Sequence, residues 1–247
     1  MSFDRTVARL IDHTILRPEA TRDDIAKGCA EAVRYEFATV CVNSFWTPLV
    51  AAELRGTPVK VCTVAGFPLG AISTAAKVAE ALGAIRDGAQ EIDMVMNIGA
   101  LRGGELETVQ ADIQGVVLAS HEQSAIVKVI IETALLDHDQ KILASRIVQA
   151  AGADFIKTST GFSKTGAVAE DIALIRRTAG PAMGVKASGG IRTLADLRTM
   201  VAAGATRIGT SSSIRIIEAA REEAMVRQAA AGNSSAGGPA APASDVT

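Results

Sequence analysis

Short apolar, β-rich runs alternate with helical patterns along almost the whole chain, and this alternation constrains the fold more than any other feature. Strand-like runs fall near residues 10–15 ("LIDHTI"), 38–43 ("ATVCVN"), 60–66 ("KVCTVAG") and 91–97 ("EIDMVMN"). Four more follow at 126–132 ("IVKVIIE"), 154–159 ("DFIKTS"), 184–189 ("GVKASG") and 207–211 ("RIGTS"). Helix signals occupy the intervals. Asp137 with Gln140 and Thr193 with Asp196 read as capping boxes, and Gly88, Gly152 and Gly204 stand where helix-ending glycines belong. Eight such units in one chain predict an α/β fold, a single closed (β/α)8 TIM barrel with an N-terminal extension. An open doubly wound sheet fits less well, because no G-x-G-x-x-G follows the first strand.

The barrel domain is expected over residues 1–228, with residues 229–247 as a tail. That tail, "AAAGNSSAGGPAAPASDVT", has almost no bulky apolar residue, so burial cannot offset its ordering entropy and disorder is expected. Over the whole sequence 48% of the 247 residues are apolar, enough for a large core. A formal net charge of −2 gives no nucleic-acid footprint. The N-terminus lacks the apolar core of a signal peptide, and no apolar run approaches the ~18 residues of a membrane span. Cys29, Cys41 and Cys62 have no C-x-x-C spacing, which fits reduced thiols in a cytoplasm better than a disulfide framework or a zinc site. His13, His121 and His138 show no ligand spacing and read as surface or capping residues.

An internal echo directs attention inside the barrel. "GAQEID" (88–93), "GADFIK" (152–157) and "GATRIG" (204–209) share the frame G-A-x-x-I-x on the fourth, sixth and eighth runs. Equivalent frames put Asp93, Lys157 and Gly209 at matching inward positions and turn Ile92, Ile156 and Ile208 toward the helices. Lys128 ("VKV") and Lys186 ("VKA") add two more strand lysines, and Asp12 and Glu132 add strand carboxylates. A purely structural ion network is the alternative, but so much buried charge is costly to desolvate.

A lysine amine attacks a carbonyl only when neutral. From an ordinary pKa of about 10.4, work near neutrality needs a lowering of about 3, roughly 4 kcal/mol. Desolvation and a second ammonium nearby are the two available causes, and Lys186, on the strand next to that of Lys157, supplies the second. Asp93 is placed to shuttle protons. "SGGIRT" (188–193) and "GTSSS" (209–213) follow the last two strands, where barrels of this kind bind phosphate.

The ordered motifs "LIDHTILRPEAT", "VCTVAGFPLGA", "EIDMVMNIGAL", "VKVIIETALL", "DFIKTSTGF", "GVKASGGIRT" and "ATRIGTSS" cover about residues 10–215. Together they closely resemble the deoxyribose-phosphate aldolases, class I aldolases that act without a metal or other cofactor. The resemblance implies reversible cleavage of 2-deoxy-D-ribose 5-phosphate to acetaldehyde and D-glyceraldehyde 3-phosphate in a cytoplasmic homo-oligomer, a dimer or larger. It implies Lys157 as the Schiff-base nucleophile, Lys186 as its activating lysine and Asp93 as the proton relay, supported by Asp12 and Lys128. Two departures stand out. Some members carry a lysine directly after "TSTG", where this chain has Phe162. Phosphate binding is then expected to lean on Gly161, Gly189, Gly190, Ser211 and Ser212, with Lys164 as a further cation. Some members also end in a tyrosine, whereas the only tyrosine here is Tyr35. Cys41 reads as a buried, inert thiol. A metal-assisted aldolase and a phosphosugar sensor without turnover are the rival readings. The first lacks a His/carboxylate ligand cluster in the sequence, and intact Lys157, Lys186 and Asp93 argue against the second.

Overall fold

The computed structural model describes residues 5–234, with side chains to residue 228. A short helix, α1 (Arg5–Ala8), precedes the first strand. Then come β1 (Ile11–Ile15), α2 (Arg22–Tyr35), β2 (Thr39–Val42), α3 (Thr47–Glu53), β3 (Lys60–Ala65) and α4 (Thr74–Arg86). The middle of the chain holds β4 (Glu91–Val95), α5 (Ile98–Gly103), α6 (Leu106–His121), β5 (Ile126–Ile130) and α7 (His138–Ala150). The remainder is β6 (Phe155–Lys157), α8 (Ala169–Ala179), β7 (Gly184–Ser188), α9 (Leu194–Ala202), β8 (Arg207–Thr210) and α10 (Ser213–Ser234). Each strand pairs in parallel with the next, and β8 pairs with β1, so the sheet closes into the expected barrel.

Local chemistry sets the boundaries. Asp137 and Gln140 form the reciprocal cap of α7, and Thr193 and Asp196 that of α9. Gly88, Gly152 and Gly204 all have positive φ one residue beyond a helix C-cap, a conformation open to glycine at no steric cost. The helices press on the outward faces of the strands. Ile92, Ile156 and Ile208 are fully buried in that apolar layer, as the repeated frame requires.

Two boundaries differ from expectation. Helix α10 runs to Ser234, past the expected tail boundary after residue 228; residues 235–247 lie outside the described residues. Ala229, Ala230 and Ala231 have the highest helix propensity, so the helix can run on where composition suggested a break. Glu132 is not on a strand either. It follows β5 with left-handed backbone (φ 51°, ψ 68°) at the start of a short 3-10 turn. Among the described residues no helix is long and apolar enough to cross a membrane.

Candidate active site

The strand register carries charge into the barrel. Asp93 pairs with Lys128, Lys157 with Lys186 and Asp12 with Gly209. All three lysines converge on Asp93. Its Oδ1 accepts from Lys128 Nζ at 2.8 Å, and its Oδ2 accepts from Lys157 Nζ at 2.7 Å and Lys186 Nζ at 2.6 Å. Lys186 also meets Asp12 Oδ2 at 2.5 Å, and Lys128 meets Glu91 Oε2 at 2.6 Å. Below them Arg207 closes the network onto Asp12 (2.7 Å) and Glu91 (3.0 Å).

The sequence motifs do not single out Glu91 or Arg207. Side-chain alternation could have found both, since each lies two residues before an inward position, Asp93 or Gly209. The space left by Gly209 is also used differently than expected. A Cβ there would stand 3.0 Å from Lys186 Cε, so the missing side chain makes room for Lys186 rather than Lys157.

Burial and pairing set the charge states. Burial raises the Asp93 carboxyl, but the ammonium groups of Lys128, Lys157 and Lys186 outweigh it and hold it well below the usual range. Burial likewise opposes the charge of Lys186, yet Asp12 and Asp93 raise its pKa above the ordinary lysine value. Burial opposes the charge of Lys128 too, yet Asp93, with Glu91 and Asp12, raises its pKa well above the ordinary value. Burial also raises Asp12, and Lys186, Arg207 and Lys128 together bring it below normal. Asp93 is thus a charged acceptor at rest, with no proton of its own to give.

A cavity of about 510 Å³ opens above this network. Of the three lysines only Lys157 lines it; Lys128 and Lys186 lie beneath, fully buried. Gly161, Gly189, Gly190 and Ser211 line it too. All three glycines have positive φ, between 79° and 88°. Their backbone N–H groups and that of Ser211 have no hydrogen-bond acceptor among the described residues. Ser212 departs from expectation. It does not line the cavity, and its N–H donates to Thr210 Oγ1 at 2.9 Å. Lys164 is exposed and outside the lining as well.

The nearby cations are Arg17, Lys27 and Arg192. Arg192 follows directly on the quoted "SGGI", so the motif contained it. Arg17 and Lys27 arrive only because β1 closes against β8. Phe162, 54% exposed, lies at the rim with its ring edge-on to Phe67 at 5.4 Å.

His13 corrects the surface reading. It is buried on β1, its Nδ1 2.9 Å from Ser213 Oγ and its Nε2 3.3 Å from Glu31. Burial lowers its pKa to about 4, so the ring is neutral at pH 7. His121 bonds Asp154 at 2.9 Å, and His138 is exposed at the start of α7.

The fold also gathers a possible ligand set that sequence spacing hid. Cys41, Cys62 and Asp93 offer ligand atoms within 4.8 Å of one another because β2 and β3 pair the two cysteines directly. The same Asp93 already faces three ammonium groups, one of them 3.4 Å from Cys62 Sγ, and that positive field opposes a metal cation. Cys41 is fully buried, as expected.

Comparison with known proteins agrees with this geometry. Residues 6–235 match the sequence model of the DeoC/LacD family aldolases. The deoxyribose-phosphate aldolase of Streptococcus gordonii is 56% identical over 210 residues, covering 85% of this chain and 94% of that protein. That of Halalkalibacterium halodurans is 54% identical, covering 90% and 99%. Among solved structures, the tetrameric deoxyribose phosphate aldolase of Aeropyrum pernix superposes with a TM-score of 0.82 at 35% identity, covering 87% and 91%. The chain therefore belongs to the DeoC/LacD family of aldolases, carbon–carbon lyases.

Proposed function

We propose that this aldolase cleaves 2-deoxy-D-ribose 5-phosphate reversibly through an imine on Lys157. The observation that carries the reading is the position of Lys157, the one barrel lysine that reaches the cavity. Charge counting supports it. Lys128, Lys157, Lys186 and Arg207 face only Asp12, Glu91 and Asp93, so the cluster balances when one amine is neutral. Lys157 has a single carboxylate partner and shares it, whereas Lys186 and Arg207 each contact two and Lys128 contacts three.

The chemistry then proceeds with this chain's own groups. The neutral Lys157 amine adds to C1 of the open-chain sugar, and loss of water leaves an iminium ion. Lys186, held charged and on the same Asp93 oxygen, supplies the proton for that departing hydroxyl. The Lys186 amine, neutral after that donation, takes the C3 hydroxyl proton as C2–C3 breaks. The bonding pair moves into the iminium to give an enamine that the recharged Lys186 can later protonate. C3 leaves as the aldehyde of glyceraldehyde 3-phosphate. Protonation of the enamine carbon and addition of water release acetaldehyde and restore the amine. The iminium is the electron sink, so no metal or cofactor is required by this scheme.

The unengaged amides of Gly161, Gly189, Gly190 and Ser211 suit the phosphate, with Arg192 as the cation that Phe162 does not provide. Ser212 contributes by closing its turn rather than by its own N–H. Asp12 and Lys128 hold Lys186 and Asp93 in place. The partners are thus small phosphosugars and aldehydes, and the tetramer of the Aeropyrum relative favours a homo-oligomer.

Borohydride trapping tests the assignment. Incubation with acetaldehyde should add one ethyl group at Lys157 by peptide mass, unchanged after EDTA treatment. Labelling of Lys128 or Lys186 in its place, or loss of cleavage on chelation with recovery on adding a divalent metal, sinks the reading.

A further inference from the structure

Glu132 is a buried acid that the scheme above does not use. It holds a backbone conformation that L residues rarely adopt, with φ 51°, and its side chain is almost fully enclosed. Among the described residues it has no ion-pair partner, and its Oε1 has no hydrogen bond. The chain brings it there by extending the β5–β6 ladder beyond both strand ends. Ile131 N–H donates to Lys157 O at 3.0 Å and Thr133 N–H to Thr158 O at 2.9 Å.

The other oxygen is heavily engaged. Oε2 accepts from Thr160 N–H at 3.2 Å and from Thr160 Oγ1–H at 2.5 Å. Thr160 Oγ1 in turn accepts from Phe162 N–H at 3.1 Å. The amides on both sides of Gly161 are therefore occupied, and the Gly161 N–H is the one left for a ligand in this turn.

The same segment seats the next loop. Ala167 N–H donates to the carbonyls of Ser188 and Gly189 at 3.0 and 3.1 Å. A Cβ on Gly189 would lie 2.9 Å from Gly166 Cα and 3.7 Å from Gly161 Cα. Fixing Thr160 thus fixes two of the four candidate phosphate amides relative to each other. The β8 turn has a similar form, with Thr210 Oγ1 accepting from Ser212, but there the threonine proton goes to a backbone carbonyl, Ile191 O. Of these two turns, the one after β6 is tied to an ionisable side chain on another strand's loop.

We propose that Glu132 is a positioning residue for anion recognition. By holding Thr160 it orients Gly161 and its contact with Gly189, and so sets the preference for a phosphorylated over an unphosphorylated sugar. This rests on the phosphate reading given under the proposed function. The role requires an acceptor oxygen at Oε2 and not a negative charge.

The test is the ratio of kcat/KM for 2-deoxy-D-ribose 5-phosphate to that for 2-deoxy-D-ribose. Glu132→Ala should lower the ratio about tenfold, mainly through KM of the phosphorylated sugar. Glu132→Gln keeps an acceptor oxygen and should stay within about threefold of the parent protein. If the alanine variant folds poorly, Thr160→Val should show the same loss and Thr160→Ser should restore the ratio. An equal fall for both sugars would reduce Glu132 to a structural residue, and a glutamine variant as poor as alanine would make its charge the essential feature. Either result overturns the proposal. A parent protein with no preference for the phosphorylated sugar would instead overturn the phosphate reading, and the proposal with it.

Discussion

Lys157 and Lys186 place their Nζ atoms on one oxygen, Oδ2 of Asp93, at 2.7 and 2.6 Å. Two amino groups on one buried acceptor tie the reactive amine to its neighbour. The carboxylate keeps them close, and neither can be moved without disturbing the other. The two lysines are neighbours across adjacent strands, and Asp93 bridges them.

Asp93 is therefore expected to matter twice. Asp93→Asn keeps the shape but removes the only carboxylate that touches all three lysines. Leaving buried charges unpaired typically costs about 3–5 kcal/mol. The variant should melt well below the parent protein and trap acetaldehyde at least about a hundredfold more slowly. Thermal melts and trapping rates at one pH check this. A variant with parental trapping would show that the carboxylate is architectural.

How much of this was legible beforehand follows from period and topology. The eight strands and the inward positions of Asp93, Lys157 and Lys186 came from alternation and the repeated G-A-x-x-I-x frame, both local properties of the chain. Residues whose roles depend on closure were harder to see. Arg207 reaches Asp12 across the seam between β8 and β1, and His13 reaches Ser213 across the same seam, 200 positions away in the chain. No periodicity links such pairs. Cys41 and Cys62 adjoin through a strand register that their sequence spacing does not reveal. Glu132 lies past the end of β5 although its run, "IVKVIIE", has the composition of an unbroken strand. Its left-handed backbone is imposed by the loop contacts that follow.

His13 gives a prediction about acid stability. Burial lowers its folded pKa to about 4 from an ordinary 6.5, and the Glu31 carboxylate at 3.3 Å does not offset that. The unfolded chain therefore binds a proton at a higher pH than the folded one does. Stability from this group is complete above pH 6.5 and is lost as pH falls through that value toward 4. The loss amounts to about 3 kcal/mol at most. His13→Asn should be less stable at pH 7, because it loses the bond to Ser213 or the contact with Glu31. It should nevertheless show a shallower decline between pH 6.5 and 4. Melting temperatures at half-unit intervals decide the matter, and parallel curves for the two proteins would remove His13 as the cause.

The last prediction separates the charge of Lys186 from its chemistry. Lys186 touches two carboxylates, Asp12 at 2.5 Å and Asp93 at 2.6 Å. Lys186→Leu removes a fully buried cation and leaves Asp12 Oδ2 with no ammonium closer than Lys128, 4.0 Å away. Its stability should fall by about 3–5 kcal/mol for that reason alone. A slow variant would then be ambiguous, since a disturbed barrel also traps slowly. Adding Asp12→Asn removes one negative charge and restores the surplus of one cation found in the parent cluster. It also leaves Arg207 with Glu91 at 3.0 Å as its carboxylate partner. The double variant should therefore recover much of the lost melting temperature, a non-additive pattern that neither single change shows. If Lys186 supplies the proton for loss of water from the carbinolamine, the double variant should remain at least about a hundredfold slow in trapping acetaldehyde. Recovery of trapping together with stability would mean that Lys186 acts only by charge balance, and its assignment as the proton donor would be withdrawn.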